Sequence, residues 1–423
     1  MDETLTIWPI WQRISFRFFF IFFPMFILIF PDGLPVVQNF HELYIQPFQH
    51  IATWAGRSFF ELSTVNFDGR GSGDTTGDYL LLLVIGGSAL AGTVIWSVFD
   101  RQRKNYTRLY YWLIVIVRCY LIAIMTTYGF VKLFKTQFPY PSAARLGETY
   151  GQSSPMALAW IFFGYSSAYN YFMGFAEVSC ALLLFFRRTT LLGALLTLMV
   201  SANIMAINYC YDVPVKILST TLVVMSIFII AQDAQRLFSF FFFNRIILPG
   251  NSQLSIFKNK WITRAVILTK YVLYVSFLIY YIFVGFYLTS QERPDQQDPL
   301  LGYYNVTTMH INEQTPLQDS PLNLKWSEII ISAENINVRS PGQEELSFPY
   351  KKDVKNHKMI LFKDINTGPM GELSYQYVEP DSLVLTGDLE KNKINLTLKL
   401  YDWEKTQLIR RGFHWINEYP YEK

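Results

Sequence analysis

The sequence predicts an α-helical polytopic membrane bundle of about seven transmembrane helices, N-in and C-out, followed by a small all-β extracytoplasmic domain. Three observations carry this. Of the 423 residues, 51% are hydrophobic and only 16% charged, against about a quarter charged in an ordinary soluble domain. The apolar residues gather into long runs near the ~20 residues a bilayer core requires. Charge is also divided: residues 1–290 hold 21 Lys and Arg against 13 Asp and Glu, whereas residues 291–423 hold 15 against 20. A basic, apolar body and an acidic tail of ordinary composition indicate two domains in two environments.

The runs lie at about 14–30, 79–99, 110–134, 157–186, 189–209, 214–232 and 265–289. Their loops alternate in basic content. DRQRKNYTR after the second run, Arg187-Arg188 after the fourth, and Arg236, Arg245, Lys258, Lys260 and Arg264 after the sixth are rich in base. Segments 31–78, 136–156 and 210–213 are poor in it. Short cytoplasmic loops collect Lys and Arg, so the N-terminus is expected inside and the tail outside. The first run ends at Pro31-Asp32-Gly33 with no small-residue cleavage site, the mark of a retained helix rather than a signal peptide.

Four regions follow. Residues 1–109 carry the first two helices and an outer amphipathic segment, 34–62, which rests on the membrane interface or packs on the bundle. Residues 110–235 form a four-helix core. Residues 236–290 hold an aromatic inner segment, FSFFFFN, and the seventh helix. In 291–423 the linker QERPDQQDP is followed by alternating runs such as KWSEIIISAENINVRS, HKMILFKD and GELSYQYV. SLVLTGDLEKNKINLTLKLYD reads as a hairpin turning at 390–393, and strands at this spacing suggest a β-sandwich or a related fold.

Cys119, Cys180 and Cys210 lie in or beside apolar runs and read as small buried hydrophobes. They offer no disulfide framework or zinc spacing, and no metal site is expected. His41 and His50, nine residues apart, do not share a helix face and read as structural. No basic block interleaved with aromatics indicates a nucleic-acid partner. The lipid membrane is the expected partner, with a periplasmic or membrane protein as the other candidate.

Charges within spanning runs are costly and seek partners. Arg118 and Glu177 lie at matching distances from the cytoplasmic ends of adjacent runs, which predicts a buried ion pair. Ser166 and Asn170 share the Glu177 face. A second polar group gathers toward the outer boundary: Lys132 ends the third run, Tyr165 and Tyr169 occupy the fourth, and NIMAINYCYDVPVK supplies Asn208, Tyr211, Asp212 and Lys216. A few convergent polar groups in an aromatic frame have the makeup of a ligand site. Each also has a plain role, Lys132 as a snorkelling base and Pro214 as a helix starter. The terminal RRGFHWINEYPYEK offers His414 and Glu418 as an acid–base pair or an aromatic lid, or else a tail packed on the β-domain.

IVRCYLIAIMTTYGFVKLF and GFAEVSCALLLFFRRTTLLGALLTLMVSANIM resemble consecutive helices of DoxX-like membrane proteins over about residues 110–235. Arg118, Gly129, Lys132, Glu177 and Arg187 or Arg188 occupy the matching positions. The chain departs in Ser179, Cys180 and Ala181, where family members often carry small glycines, and in the insert FPYPSAARLGETYGQSSP. The resemblance implies a four-helix core tied in some members to quinone-linked oxidation or redox complexes, with quinone the expected cofactor class and a bacterial inner membrane the location. The functional expectation is thus a redox-associated subunit binding a quinone-like or other apolar ligand near the outer face. The alternative is a scaffold whose β-domain binds a protein; a transporter is disfavoured by the lack of an inverted repeat.

Overall fold

The computed structural model describes residues 7–67, 74–142, 145–146, 150–245, 260–291, 298–312, 326–332, 334–340, 346–363, 368–389, 392–402, 405–412 and 414–415. The chain divides into two compact units, one of residues 1–139 and 155–287, the other of 140–154 and 288–423.

The first unit is helical. It comprises α1 (Ile10–Ile29), α2 (Pro35–Asn39), α3 (His41–Phe60), α4 (Thr76–Phe99), α5 (Thr107–Leu133), α6 (Pro155–Tyr165), α7 (Ser167–Phe185), α8 (Thr190–Cys210), α9 (Lys216–Ile230), α10 (Ala234–Phe243) and α11 (Lys260–Gln291). Seven helical stretches among the described residues are long and apolar enough to cross a membrane. The fold is therefore that of an integral membrane protein. Residues 157–186 do not form one rod: Ser166 breaks the run, and its side chain accepts from the Tyr169 N–H to cap α7. That cap leaves the preceding eleven-residue α6 as a separate short helix.

α5 is the central element, and α1, α7 and α9 pack around it. Gly129 and Gly174 set the α5–α7 approach, because a Cβ on Gly129 would stand 3.1 Å from the Gly174 carbonyl oxygen and 2.7 Å from Val178. Phe16, Phe23, Phe26, Leu113, Val117, Tyr120, Leu121, Met125, Leu184 and Met225 fill the core. Arg17, the deeper of the two arginines in α1, is 4% exposed. It is fully engaged, donating to Tyr106 Oη, Ser97 Oγ and the Asp100 carbonyl at 2.7–2.9 Å. Segment 34–62 becomes α2 and α3. α3 turns Ile45, Ala52, Ala55 and Gly56 onto the bundle while Leu43, Trp54 and Phe59 stay exposed. The FSFFFFN aromatics lie on α10, which buries none of its residues. Only Cys180 is the small buried hydrophobe expected; Cys119 and Cys210 are exposed on the bundle.

The second unit is a closed eight-stranded antiparallel barrel rather than a sandwich. Its strands are β1 (Gly302–Ile311), β2 (Glu328–Ile331), β3 (Asn335–Arg339), β4 (Leu346–Asp353), β5 (Lys358–Phe362), β6 (Pro369–Glu379), β7 (Ser382–Leu389) and β8 (Asn392–Leu400). Each pairs with the next, and β1 returns to β8, with Asn305 opposite Lys399 and Ile311 opposite Ile394. Closure removes the free edges that would otherwise template aggregation. The expected hairpin is β7–β8, Leu389 facing Asn392. Met359, Leu361, Leu373, Leu383, Leu385, Leu396 and Leu398 alternate inward and fill the lumen, as expected for eight strands.

Candidate functional site

Glu177 is 1% exposed in the middle of α7. Its partner is Lys132, whose Nζ lies 2.7 Å from Oε1 and 2.9 Å from Oε2. The expected Arg118–Glu177 pair is therefore replaced, and Arg118 instead donates to Thr190 Oγ1 at 3.2 Å. The reason is register. Eleven residues separate Gly174 from Phe185, and eleven separate Arg118 from Gly129. With the two glycines in contact, Arg118 lies level with the end of α7. Glu177 sits eight residues further along, roughly 12 Å at 1.5 Å per residue. Lys132 reaches back toward the start of α5, as helical side chains do, and meets the carboxylate. Equal distances from the helix ends misled because α5 extends beyond the α7–α8 turn.

The other residues expected to form a rim are not brought into one site. Asn208 donates to the Val215 carbonyl and to Ser219 Oγ, both at 3.1 Å, closing the α8–α9 turn. Asp212, at φ +51° in that turn, meets Lys216 Nζ at 2.9 Å while its own side chain is largely exposed. Tyr169 and Tyr211 are 41% and 39% exposed, and Tyr165 is half-buried at the end of α6. Asn170 faces inward as expected, donating to the Phe163 carbonyl at 2.7 Å. Pro214 does not start α9, which begins two residues later at Lys216. His414 and Trp415 are exposed; Glu418 lies outside the described residues.

The structure instead opens a cavity of about 400 Å³ beside that turn. The end of α1, α3, the start of α4, α5 and the start of α9 enclose it. Its polar lining is Asp32, Gln38, His41, Gln49, Asp74, Asp78 and Tyr128, and its apolar wall includes Ile29, Phe30, Ile45, Leu81, Ile217 and Leu218. Val215, Ile217 and Leu218 are the part of the cavity closest in sequence to the expected rim.

Two of the carboxylates have structural work. Asp78 closes a capping box with Thr75. Asp74 accepts the Lys216 and Ile217 N–H groups at 2.5 and 3.0 Å, capping α9 from a distant loop. Asp32 and His41 are placed differently. Burial pushes the Asp32 carboxyl above its ordinary range; Asp78 adds to that push, while His41 and the Asp32 backbone N–H oppose it. His41 Nε2 lies 3.0 Å from the Ile29 carbonyl. A carbonyl can only accept, so Nε2 carries the hydrogen, and in a neutral ring Nδ1 is then the free acceptor. Asp32 and His41 thus line one cavity, which is large enough for a small molecule. On the α5 side Tyr128 links this cavity to the ion pair: it lines the cavity, and its ring stands 5.6 Å from Lys132 Nζ. Sequence reasoning missed Asp32, Gln38, His41 and Gln49 because they lie in a loop and in segment 34–62. The available signal was a concentration of polar groups in one base-poor loop.

A seven-span helical unit with this cavity, joined in sequence to a β-barrel unit, defines the class: a polytopic membrane protein with a separate barrel domain. Over 129 residues the chain is 36% identical to the uncharacterized protein YwoB of Bacillus subtilis (strain 168), a match covering 29% of this chain and 79% of the Bacillus protein. The chain belongs to the family of that protein. No family model matches the chain, and no solved structure matches it.

Proposed function

We propose that the protein is a redox-associated, DoxX-like subunit of the bacterial cytoplasmic membrane whose bundle binds a quinone-like ligand. The observation that carries this reading is the cavity, whose lining combines apolar side chains with Asp32, His41 and two carboxamides. A quinone has both characters, an apolar body with two oxygens that exchange protons as it is reduced or reoxidised. Gln38 and Gln49 can donate to such oxygens, and Asp32 and His41 can take or return the protons. Electrons would pass to or from a partner protein. The alternation of basic loops supports an N-in, C-out orientation, which would set the cavity and the barrel domain on the periplasmic side.

The test is purification in mild detergent followed by quantification of extracted quinone. Stoichiometric quinone in the wild type, lost in His41→Gln and Asp32→Asn variants that remain folded by thermal unfolding, is expected. A quinone-free wild type, or quinone retained equally by both variants, refutes the reading.

The filled barrel favours a second reading, a scaffold. With Leu383, Leu385, Leu396 and Leu398 packed inside, the domain has only its exterior for recognition, which suits a protein partner. A quinone-free protein that co-purifies with a stoichiometric partner, and loses it when residues 291–423 are deleted, decides for this reading.

A further inference from the structure

The bundle end opposite the cavity gathers positive charge at the α7–α8 turn. Arg118 is 9% exposed and makes one side-chain hydrogen bond, to Thr190, while its Nε has no partner. Lys270 of α11 donates to the Phe185 carbonyl and lies 3.9 Å from the centre of the Phe185 ring. Arg187 reaches Tyr111 Oη and covers that ring. Lys270 is repelled by both Arg118 and Arg187. Among the described residues no ion pair reaches any of the three. The α7 C-terminus contributes roughly half a negative charge, far less than three cations require.

We infer that this cluster binds the phosphate of an anionic phospholipid. A buried cation without a counter-charge, as Arg118 is, is unfavourable in a bilayer protein, and basic pockets between helices are the usual receptors for acidic headgroups. The surface around the cluster fits the rest of a lipid. Leu268, Val272, Leu273 and Val275 of α11 and Leu182 and Phe186 beside the turn are exposed apolar residues. Acyl chains can run along them while the phosphate accepts from Lys270 and Arg187, with the buried Arg118 behind them adding positive charge. The argument is independent of the cavity and of any quinone.

The test uses the full chain reconstituted in nanodiscs of phosphatidylglycerol or phosphatidylcholine, released into mild detergent and read by native mass spectrometry. Wild type should retain about one phosphatidylglycerol and little phosphatidylcholine. Lys270→Gln and Arg187→Gln, at partly or fully exposed positions, should each weaken retention about five-fold, the effect of one basic residue near an anionic surface. Arg57→Gln, on α3, should leave it unchanged. Equal retention of the two lipids overturns the inference, as does full retention by both cluster variants. Thermal protection by inorganic phosphate alone, without lipid retention, replaces the lipid with a soluble phosphate ligand and also overturns it.

Discussion

The Lys132–Glu177 pair makes the most discriminating claim, because the sequence suggests a different partner for Glu177. The side chains of Lys132 and Glu177 are only 6% and 2% exposed, and Lys132 Nζ lies within 2.9 Å of both carboxylate oxygens. Removal of Glu177 leaves the ammonium with the Tyr128 carbonyl at 3.5 Å and two aromatic rings nearly 6 Å away. Breaking one side of such a buried pair costs about 3–5 kcal/mol, whereas replacing both partners by apolar residues of similar volume is often close to neutral. Lys132→Met and Glu177→Met should therefore each destabilise by roughly 3 kcal/mol or more, and the double variant by far less than their sum. A second cycle, Arg118→Met with Glu177→Met, should be additive within about 0.5 kcal/mol. Equilibrium unfolding in mixed micelles of a mild detergent and dodecyl sulfate, followed by tryptophan fluorescence, measures both cycles. Additivity in the first cycle, or coupling above about 1 kcal/mol in the second, refutes the register argument.

Asp32 gives a pH signature. Its folded-state pKa is raised by burial, so its contribution to stability is complete below the ordinary carboxylate range and is lost as pH rises through the raised value. Asp32→Asn should gain stability over wild type with increasing pH and converge with it in acid; a pH-independent difference in thermal unfolding between pH 4 and 8 contradicts this. Gly174→Val would press a side chain into the Gly129 carbonyl and Leu133, whose nearest atoms stand 2.8 Å from the position of a Cβ. It should cost about 1–3 kcal/mol and also reduce the coupling between Lys132 and Glu177; unchanged coupling in the same detergent assay argues against the glycine contact as the source of register. Asp74→Ala should cost roughly 1–2 kcal/mol by uncapping α9, with faster hydrogen exchange at the Lys216 and Ile217 amides as the site-specific readout.

The helices were legible because a bilayer imposes one strong rule, long apolar runs with satisfied backbones. Helix breaks obey weaker local rules. Ser166 looks like one polar residue on an inward stripe until its side chain is seen to cap α7. The barrel shows the same limit in another form. Period-2 alternation revealed β2, β3 and β5 through β8, but β1, with GYYNVTTMHI, and β4, whose LSFPYKKD carries a proline and two lysines, hide it. Without β1 the sheet cannot be seen to close on β8, and a sandwich is then as good a reading of the remaining strands.

The site was harder for a reason rooted in register. Polarity within a span indicates that a residue faces inward, but its partner depends on how far each helix slides past its neighbour. Gly129 and Gly174 decide that slide through a close backbone approach, and two glycines in apolar sequence do not announce a contact. Once the slide is fixed, Lys132 becomes the partner of Glu177 and leaves the expected rim, while Arg118 is left at the α7–α8 turn beside Lys270. The same consideration explains why the cavity went unread. Asp32, His41 and Asp74 come from separate loop and helix segments, and only the packing of α3 against α4 and the capping of α9 by Asp74 bring them together. The stretch Asn208–Lys216 therefore adjoins the cavity through Val215 alone. Its polar side chains hold the turn shut, while the backbone N–H of Lys216 binds the aspartate that helps to form the cavity wall.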